Sequence, residues 1–238
     1  MSQIVFHAAA TRGHANHGWL NAHHSFSFAG YYDPSRIHFG VLRVLNDDEI
    51  AGGGGFGMHP HDNMEIITIP IEGDLEHKDN MGNVGVIRAG DVQVMSAGTG
   101  VLHSEYNKHS DQMVRLLQIW LFPDKKNHTP RYQQISLKLE DRVNRLQQIV
   151  SPNENDEGAW IHQDAWFSIG RFDEGQTFDY AFKKNGNGAY LFLLEGSLEV
   201  DGNVMNRRDG LGIWDAASFS LKVLSPSTEL LIMDIPMH

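Results

Sequence analysis

The 238-residue chain has no cysteine. That excludes disulfides, thiolate metal sites and a cysteine nucleophile, and it leaves only nitrogen and oxygen ligands for any bound metal. No stretch approaches the ~20 consecutive apolar residues of a spanning helix. Met1-Ser2-Gln3-Ile4-Val5-Phe6 also lacks the basic region and long apolar core of a signal peptide, so the expected location is cytoplasmic, with no membrane contact. Basic residues are scarce: 19 Lys and Arg stand against 30 Asp and Glu, a formal charge of -11. Such a balance argues against direct nucleic-acid binding and against attachment to anionic membranes, and is compatible with a protein partner.

Histidine, by contrast, is plentiful and lopsided: 11 of the 14 lie before residue 110. Two short pairs stand out, His59-Pro60-His61 and His103-Ser104-Glu105. Spacing of i, i+2 on a β-strand sends both side chains to one face. If the two strands face each other, three imidazoles and a carboxylate converge with positions left open, a candidate divalent-metal site. The pairs alone carry little weight, since about 0.8 His-x-His pairs are expected by chance in such a composition. Context adds specificity. The first pair follows Gly52-Gly53-Gly54-Gly55-Phe56-Gly57 and leads through Glu65 into Ile66-Ile67-Thr68-Ile69; the second follows Ala97-Gly98-Thr99-Gly100. Each pair sits beside a glycine-rich turn at the mouth of a strand.

Short apolar runs broken by turn residues between 37 and 122 predict an all-β sandwich or barrel. Pro70 in the run Met64–Ile71 predicts an edge or a bulge. The cluster Lys78–Asn83 predicts a hairpin turn. The polar, proline-punctuated segment 123–130 reads as a connection between domains. Leu139, Val143, Leu146 and Ile149 recur at helical spacing and predict a short helical linker. The second half then echoes the first. Leu193-Leu194-Glu195-Gly196-Ser197-Leu198-Glu199 repeats the outline of Pro70-Ile71-Glu72-Gly73-Asp74-Leu75-Glu76, and Arg208-Asp209-Gly210 that of Arg88-Ala89-Gly90. A duplicated domain follows, with a first unit at 1–134 and a second at 135–238. Carried across, the His and Glu positions land near Tyr180–Lys184 and Val223–Thr228, where no histidine occurs, so the second copy is expected to lack the metal site.

These motifs resemble the two conserved motifs of the cupin superfamily. More narrowly, Phe56–His61, Met95–Asn107, Arg12-Gly13-His14-Ala15-Asn16-His17-Gly18-Trp19-Leu20, His24-Ser25-Phe26-Ser27-Phe28 and Tyr31-Tyr32-Asp33-Pro34 resemble the pirin family over nearly the whole chain. The resemblance implies a bicupin: two tandem antiparallel β-barrels (double-stranded β-helices), with one metal in the first. The implied ligands are His59, His61, His103 and Glu105. Many other cupins use the glutamate matching Glu65, which is expected here to stand behind the ligands and hold one imidazole in the right tautomer. Fe(II) is the metal the resemblance favours, with Mn, Co, Ni, Cu and Zn as alternatives. Bacterial relatives are associated with quercetin 2,3-dioxygenase activity, in which the flavonol 3-hydroxyl loses its proton to Glu105, O2 adds to the ring and carbon monoxide leaves. Glu105 would then be both ligand and general base. A flat aromatic substrate needs an apolar pocket, and Phe26, Phe28, Phe56, Met95 and Trp120 are its candidate lining. The alternative is a regulatory protein whose metal is structural or redox-sensing and which acts through a protein partner; a cupin isomerase or another dioxygenase is a third. His14, His17, His23 and His24 are assigned no metal. The Gly52–Gly55 run has no following Lys-Ser/Thr and reads as a loop rather than a phosphate cradle.

Overall fold

The computed structural model describes residues 2–238. β1 (Gln3–His7) stands apart from the strands that follow it. The first domain is built from β2 (Gly13–Asn16), β3 (Leu20–His24), β4 (Leu42–Ile50), β5 (Gly55–His61), β6 (Glu65–Glu72), β7 (Asp74–Asp79), β8 (Val84–Arg88), β9 (Asp91–Ser96), β10 (Val101–Asn107), β11 (Val114–Leu121) and β12 (Arg131–Ser136). The second is built from β13 (Leu146–Ser151), β14 (Ala159–Trp160), β15 (Trp166–Phe172), β16 (Thr177–Ala181), β17 (Asn187–Glu195), β18 (Ser197–Val200), β19 (Asn203–Asn206), β20 (Gly210–Trp214), β21 (Ser218–Val223) and β22 (Thr228–Pro236). In each domain a seven-stranded sheet faces a four-stranded one. The orders are β12-β9-β6-β11-β4-β3-β2 with β5-β10-β7-β8, and β1-β20-β17-β22-β15-β13-β14 with β16-β21-β18-β19. The expected all-β pair of tandem barrels is what the chain forms.

β6 shows how the sequence dictates this arrangement. Its β-branched residues suit a pleated surface, and their unbroken run suits a strand covered on both faces. Ile67 and Ile69 enter a core that joins the two domains, while Ile66 packs with Met95 and Val101 inside the first barrel. Pro70 falls where the register against β11 slips and after pairing with β9 has ended, so its missing N–H breaks no ladder bond. The duplication is visible in the turns. Gly73 between β6 and β7 and Gly196 between β17 and β18 both have positive φ, 78° and 85°. A side chain there would be strained, and would also press against Val114 or Thr228.

The two large sheets face each other. Their shared core holds Leu45, Leu117 and Ile119 from the first domain with Phe167, Tyr190 and Met233 from the second. The domains also interlock. β1 pairs with β20 of the second domain, and the Val41 N–H donates to the Pro236 carbonyl at 3.0 Å. Segment 123–130 does not cross between domains: it returns the chain to the first sheet as β12, which runs through residue 134 and pairs with β9. The crossing follows Ser136.

The expected helical linker is not a helix. Leu139–Arg142 makes a single 3-10 turn, and Leu146 and Ile149 belong to β13, paired with β15. Asn144, at φ 53°, takes the chain out of the right-handed region between them, and its side-chain oxygen accepts the Asp173 N–H at 2.8 Å. Leu139 and Val143 are half exposed, so no buried face exists for the apolar period to serve.

Candidate metal centre

β5 and β10 run antiparallel and bring the two motifs together. His103 pairs directly with His59, and Val101 with His61. A bulge follows: Phe56 stands opposite Glu105, so Gly57 and Met58 answer the single residue Ser104. The backbones close tightly there, since a Cβ on Gly55 would lie 2.4 Å from the Glu105 carbonyl oxygen. Ring centroids of the three histidines lie 4.4 Å (His59–His103), 4.8 Å (His59–His61) and 4.9 Å (His61–His103) apart. One ring nitrogen from each falls within 4.8 Å of the other two.

The electrostatics favour a cation. Burial, then the neighbouring imidazoles, pushes His103 down to about 2 and His61 down to about 4, so both are neutral and able to ligate at pH 7. His59 donates its Nδ1–H to the Gly57 carbonyl at 2.8 Å, which leaves Nε2 free. His103 is 1% exposed, yet neither ring nitrogen has a protein partner. A buried imidazole without partners is costly unless something binds it. Three nitrogen donors with an open side fit a divalent transition metal.

Glu105 lines the same cavity, 3% exposed. It receives the Gln118 Nε2–H at 3.0 Å and the Thr68 hydroxyl at 3.3 Å, and burial raises its carboxyl above the ordinary range. Its oxygen forms a second close group with His103 and the fully buried His77. His77 is held in turn by Asp79, Nε2 to Oδ2 at 3.2 Å.

Glu65 faces elsewhere. Its carboxylate accepts the Ser96 hydroxyl at 2.7 Å and lies 3.4 Å from His162 Nδ1 of the second domain, so it holds no ligand imidazole. The alternation that would align it with His61 applies only within one strand. Here β5 ends at His61, the chain turns through Asn63 at φ 46°, and β6 starts with its own phase.

The cavity has a volume of about 170 Å³. Phe28, Phe56 and Trp120 line it as expected; Phe26 and Met95 do not. Phe26 packs on Tyr190 in the core between the domains, and Met95 lies behind the cavity against Ile66 and Val101. A groove of about 690 Å³, lined by Trp19, His24 and Tyr31, shares the Phe28 and Phe56 walls. The sheet behind the cavity carries a polar row, of which Asn46 and Gln118 reach the cavity wall. His24, Asn46, Gln118, Thr68 and Gln93 are successive cross-strand partners over β3, β4, β11, β6 and β9. Asp48, also in the wall, is pushed up to about 8 by burial and then by the charges of Asp47 and Glu105. Asn46 and Asp48 had no distinguishing signal, standing in the polar run Asn46-Asp47-Asp48-Glu49, while Gln118 interrupts the apolar run Leu116–Leu121.

In the second barrel, β16 and β21 occupy the places of β5 and β10. Tyr180 pairs with Phe219 as His59 does with His103, and Leu221 opposes Val200 as Glu105 opposes His77. Apolar and aromatic side chains thus fill the position of the metal centre. Phe219 and Leu221 precede the expected 223–228 because this domain's hairpin is shorter: β18 and β19 have four residues each, β7 and β8 six and five.

Fold and site together define a two-domain cupin whose first barrel holds, among the described residues, the histidine clusters that could bind a metal. Comparison with known proteins agrees. A family model described as Pirin matches residues 5–121, and one described as Quercetinase C-terminal cupin domain matches residues 148–235. The chain is 42% identical over 237 residues to the quercetin 2,3-dioxygenase of Escherichia coli K12, covering 98% of this chain and 99% of that one. It is 43% identical over 223 residues to the pirin-like protein of Caulobacter vibrioides, covering 93% and 95%. The crystal structure of the bacterial pirin YhhW from Escherichia coli in complex with nickel(II) superposes with a TM-score of 0.92 at 40% identity, covering 98% and 99%. The chain belongs to the pirin family.

Among the described residues, no helix is long and apolar enough to cross a membrane.

Proposed function

We propose that the chain is a metal-dependent dioxygenase, an oxidoreductase that opens the heterocycle of quercetin or a related flavonol with O2 and releases carbon monoxide. The observation that carries this reading is the convergence of three imidazoles beside a buried carboxylate, in a cavity walled by Phe28, Phe56 and Trp120. The metal, proposed as Fe(II) held by His59, His61, His103 and Glu105, supplies Lewis acidity and a template when bound. Glu105 takes the proton of the flavonol 3-hydroxyl. Gln118 and Thr68 donate hydrogen bonds to that carboxylate and keep it aimed at the cavity. Phe28, Phe56 and Trp120 hold the flat rings and exclude water. The cavity alone is smaller than the ~300 Å³ at the low end of small-molecule sites. The reacting end of the flavonol therefore sits among the histidines, and its far ring extends past Phe28 and Phe56 into the adjoining groove.

The test is anaerobic loading with Fe(II), Mn(II), Co(II), Ni(II), Cu(II) and Zn(II) in turn, followed by quercetin loss and carbon monoxide release in O2. Turnover is expected with at least one ion and should fall ~10²–10⁴-fold in Glu105→Gln. Stoichiometric metal without turnover for any ion would overturn the reading in favour of a regulatory protein with a protein partner.

A further inference from the structure

The polar side chains in and behind the cavity wall mostly satisfy one another. Asn46 bonds His24 at 2.9 Å, and Gln118 and Thr68 each donate to the Glu105 carboxylate. Gln93 and Asp48 are the exceptions, and of the two only Asp48 lines the cavity. Asp48 sits on the same face of β4, two residues beyond Asn46, and its cross-strand neighbours are Ala22 and Leu116, neither with a polar side chain. It is 5% exposed, and its Oδ1 has no protein partner. Of the nine buried polar atoms without partners among the described residues, four belong to the wall of this one cavity: Asp48 Oδ1, Trp120 Nε1 and both ring nitrogens of His103. A bound metal would take one ring nitrogen of His103. Nothing in the protein accounts for Asp48.

We infer that Asp48 is a substrate-contacting, specificity-determining residue, whose carboxyl bonds a hydroxyl of the bound flavonol other than the one facing the histidines. The inference rests on the flavonol reading above and deepens it. Its physical basis is asymmetry: a buried site built to bond a substrate hydroxyl rejects the analogue lacking that group far more strongly than an apolar site rejects an added hydroxyl. The strand geometry allows the reach. Asp48 lies four residues along β4 from Val44, the partner of Trp120, a span of ~13 Å at the usual rise per residue. A substrate held near Trp120 and His61 therefore needs a long, planar body with a polar group toward its other end, which describes a polyhydroxylated flavonol.

The experiment compares quercetin with 3-hydroxyflavone, which keeps the reacting hydroxyl and lacks the others. Metal-loaded wild type is titrated with each under anaerobic conditions, read by quenching of tryptophan fluorescence, and then assayed for turnover in O2. Wild type should favour quercetin at least tenfold in Kd and in kcat/KM, with most of the difference in KM. Asp48→Leu should bring that ratio near unity, and Asp48→Asn, which keeps the shape and a hydrogen-bonding group, should retain most of it. Equal binding of both flavonols by wild type, or a preference that survives in Asp48→Leu, would overturn the inference while leaving the dioxygenase standing. Wild type that binds neither flavonol would overturn both. If Asp48→Leu does not fold, Asp48→Ala carries the same comparison, with the same loss of preference expected.

Discussion

Two glutamates compete for one role in the motifs, and the course of the backbone separates them. Glu105 stays in the strand of His103 and reaches the cavity, whereas Glu65 follows a turn and faces the second domain. Mutation should therefore divide metal binding from stability. His103→Ala removes the buried ligand shared by both close donor groups, and metal content per chain, measured by plasma mass spectrometry, should fall from near one to near zero. Glu65→Gln should leave metal content unchanged. It should cost about 1–3 kcal/mol in urea unfolding, because the Ser96 hydroxyl and His162 lose a charged partner at the interface. A Glu65→Gln protein that loses its metal would contradict this division. The histidines were legible because i, i+2 spacing survives any strand pairing. The polar row from His24 to Gln93 was not, because it exists only through the registers of five strands, which no local pattern records. Phe26 shows the same limit: its type marks it as buried, and only the packing says it is buried against Tyr190 rather than a ligand.

Strands were easier to read than their connections. The continuous apolar run Met64–Ile71 located β6, and the short runs between 37 and 122 announced its neighbours, while the helical period at 139–149 misled because chance spacing of four apolar residues has no meaning without a face to bury. β1 was invisible as a partner of the second domain, since nothing in Gln3–His7 names β20. That strand makes a pH prediction. His7 is buried against Tyr190, its Nδ1 2.9 Å from the tyrosine hydroxyl, and desolvation, then the Arg36 charge, pushes it down to about 4. In the unfolded chain the imidazole takes up a proton near its ordinary 6.5, while the folded protein resists until about 4. The unfolded state thus holds more protons across that interval. The contribution of His7 is complete above pH 6.5 and is lost as pH falls toward 4, by about 3 kcal/mol in all. His7→Gln cannot charge. Between pH 8 and pH 5 its urea-unfolding free energy should change by about 2 kcal/mol less than that of wild type, the other histidines being common to both. Equal pH slopes would show that β1 is already detached in the folded state.

At the scale of the whole molecule, duplication was legible and coupling was not. The echoing Glu-Gly turns announce two copies, and the absence of histidine in the second predicts its silence toward metal; Tyr180, Phe219 and Leu221 now fill that space. No repeat indicates that the large sheets pack on each other, because inward and outward faces of a strand covered on both sides look alike. Yet this contact decides how the protein unfolds. Phe167, Tyr190, Leu117 and Ile119 belong to one continuous core, and each terminus is tied to the opposite domain, through β1 on β20 and Pro236 on Val41. Neither domain keeps its outer sheet covered without the other, so the chain should unfold as one cooperative unit, with equal calorimetric and van't Hoff enthalpies. Phe167→Ala, in the second domain's share of that core, should cost about 3–5 kcal/mol. Its effect should cross the interface: amides of β6 and β11 should lose hydrogen-exchange protection to the same degree as those of β15 and β22. Two separate thermal transitions, or protection lost from the second domain alone, would mean that the shared core joins two independent barrels, and metal binding in the first would then owe nothing to the second.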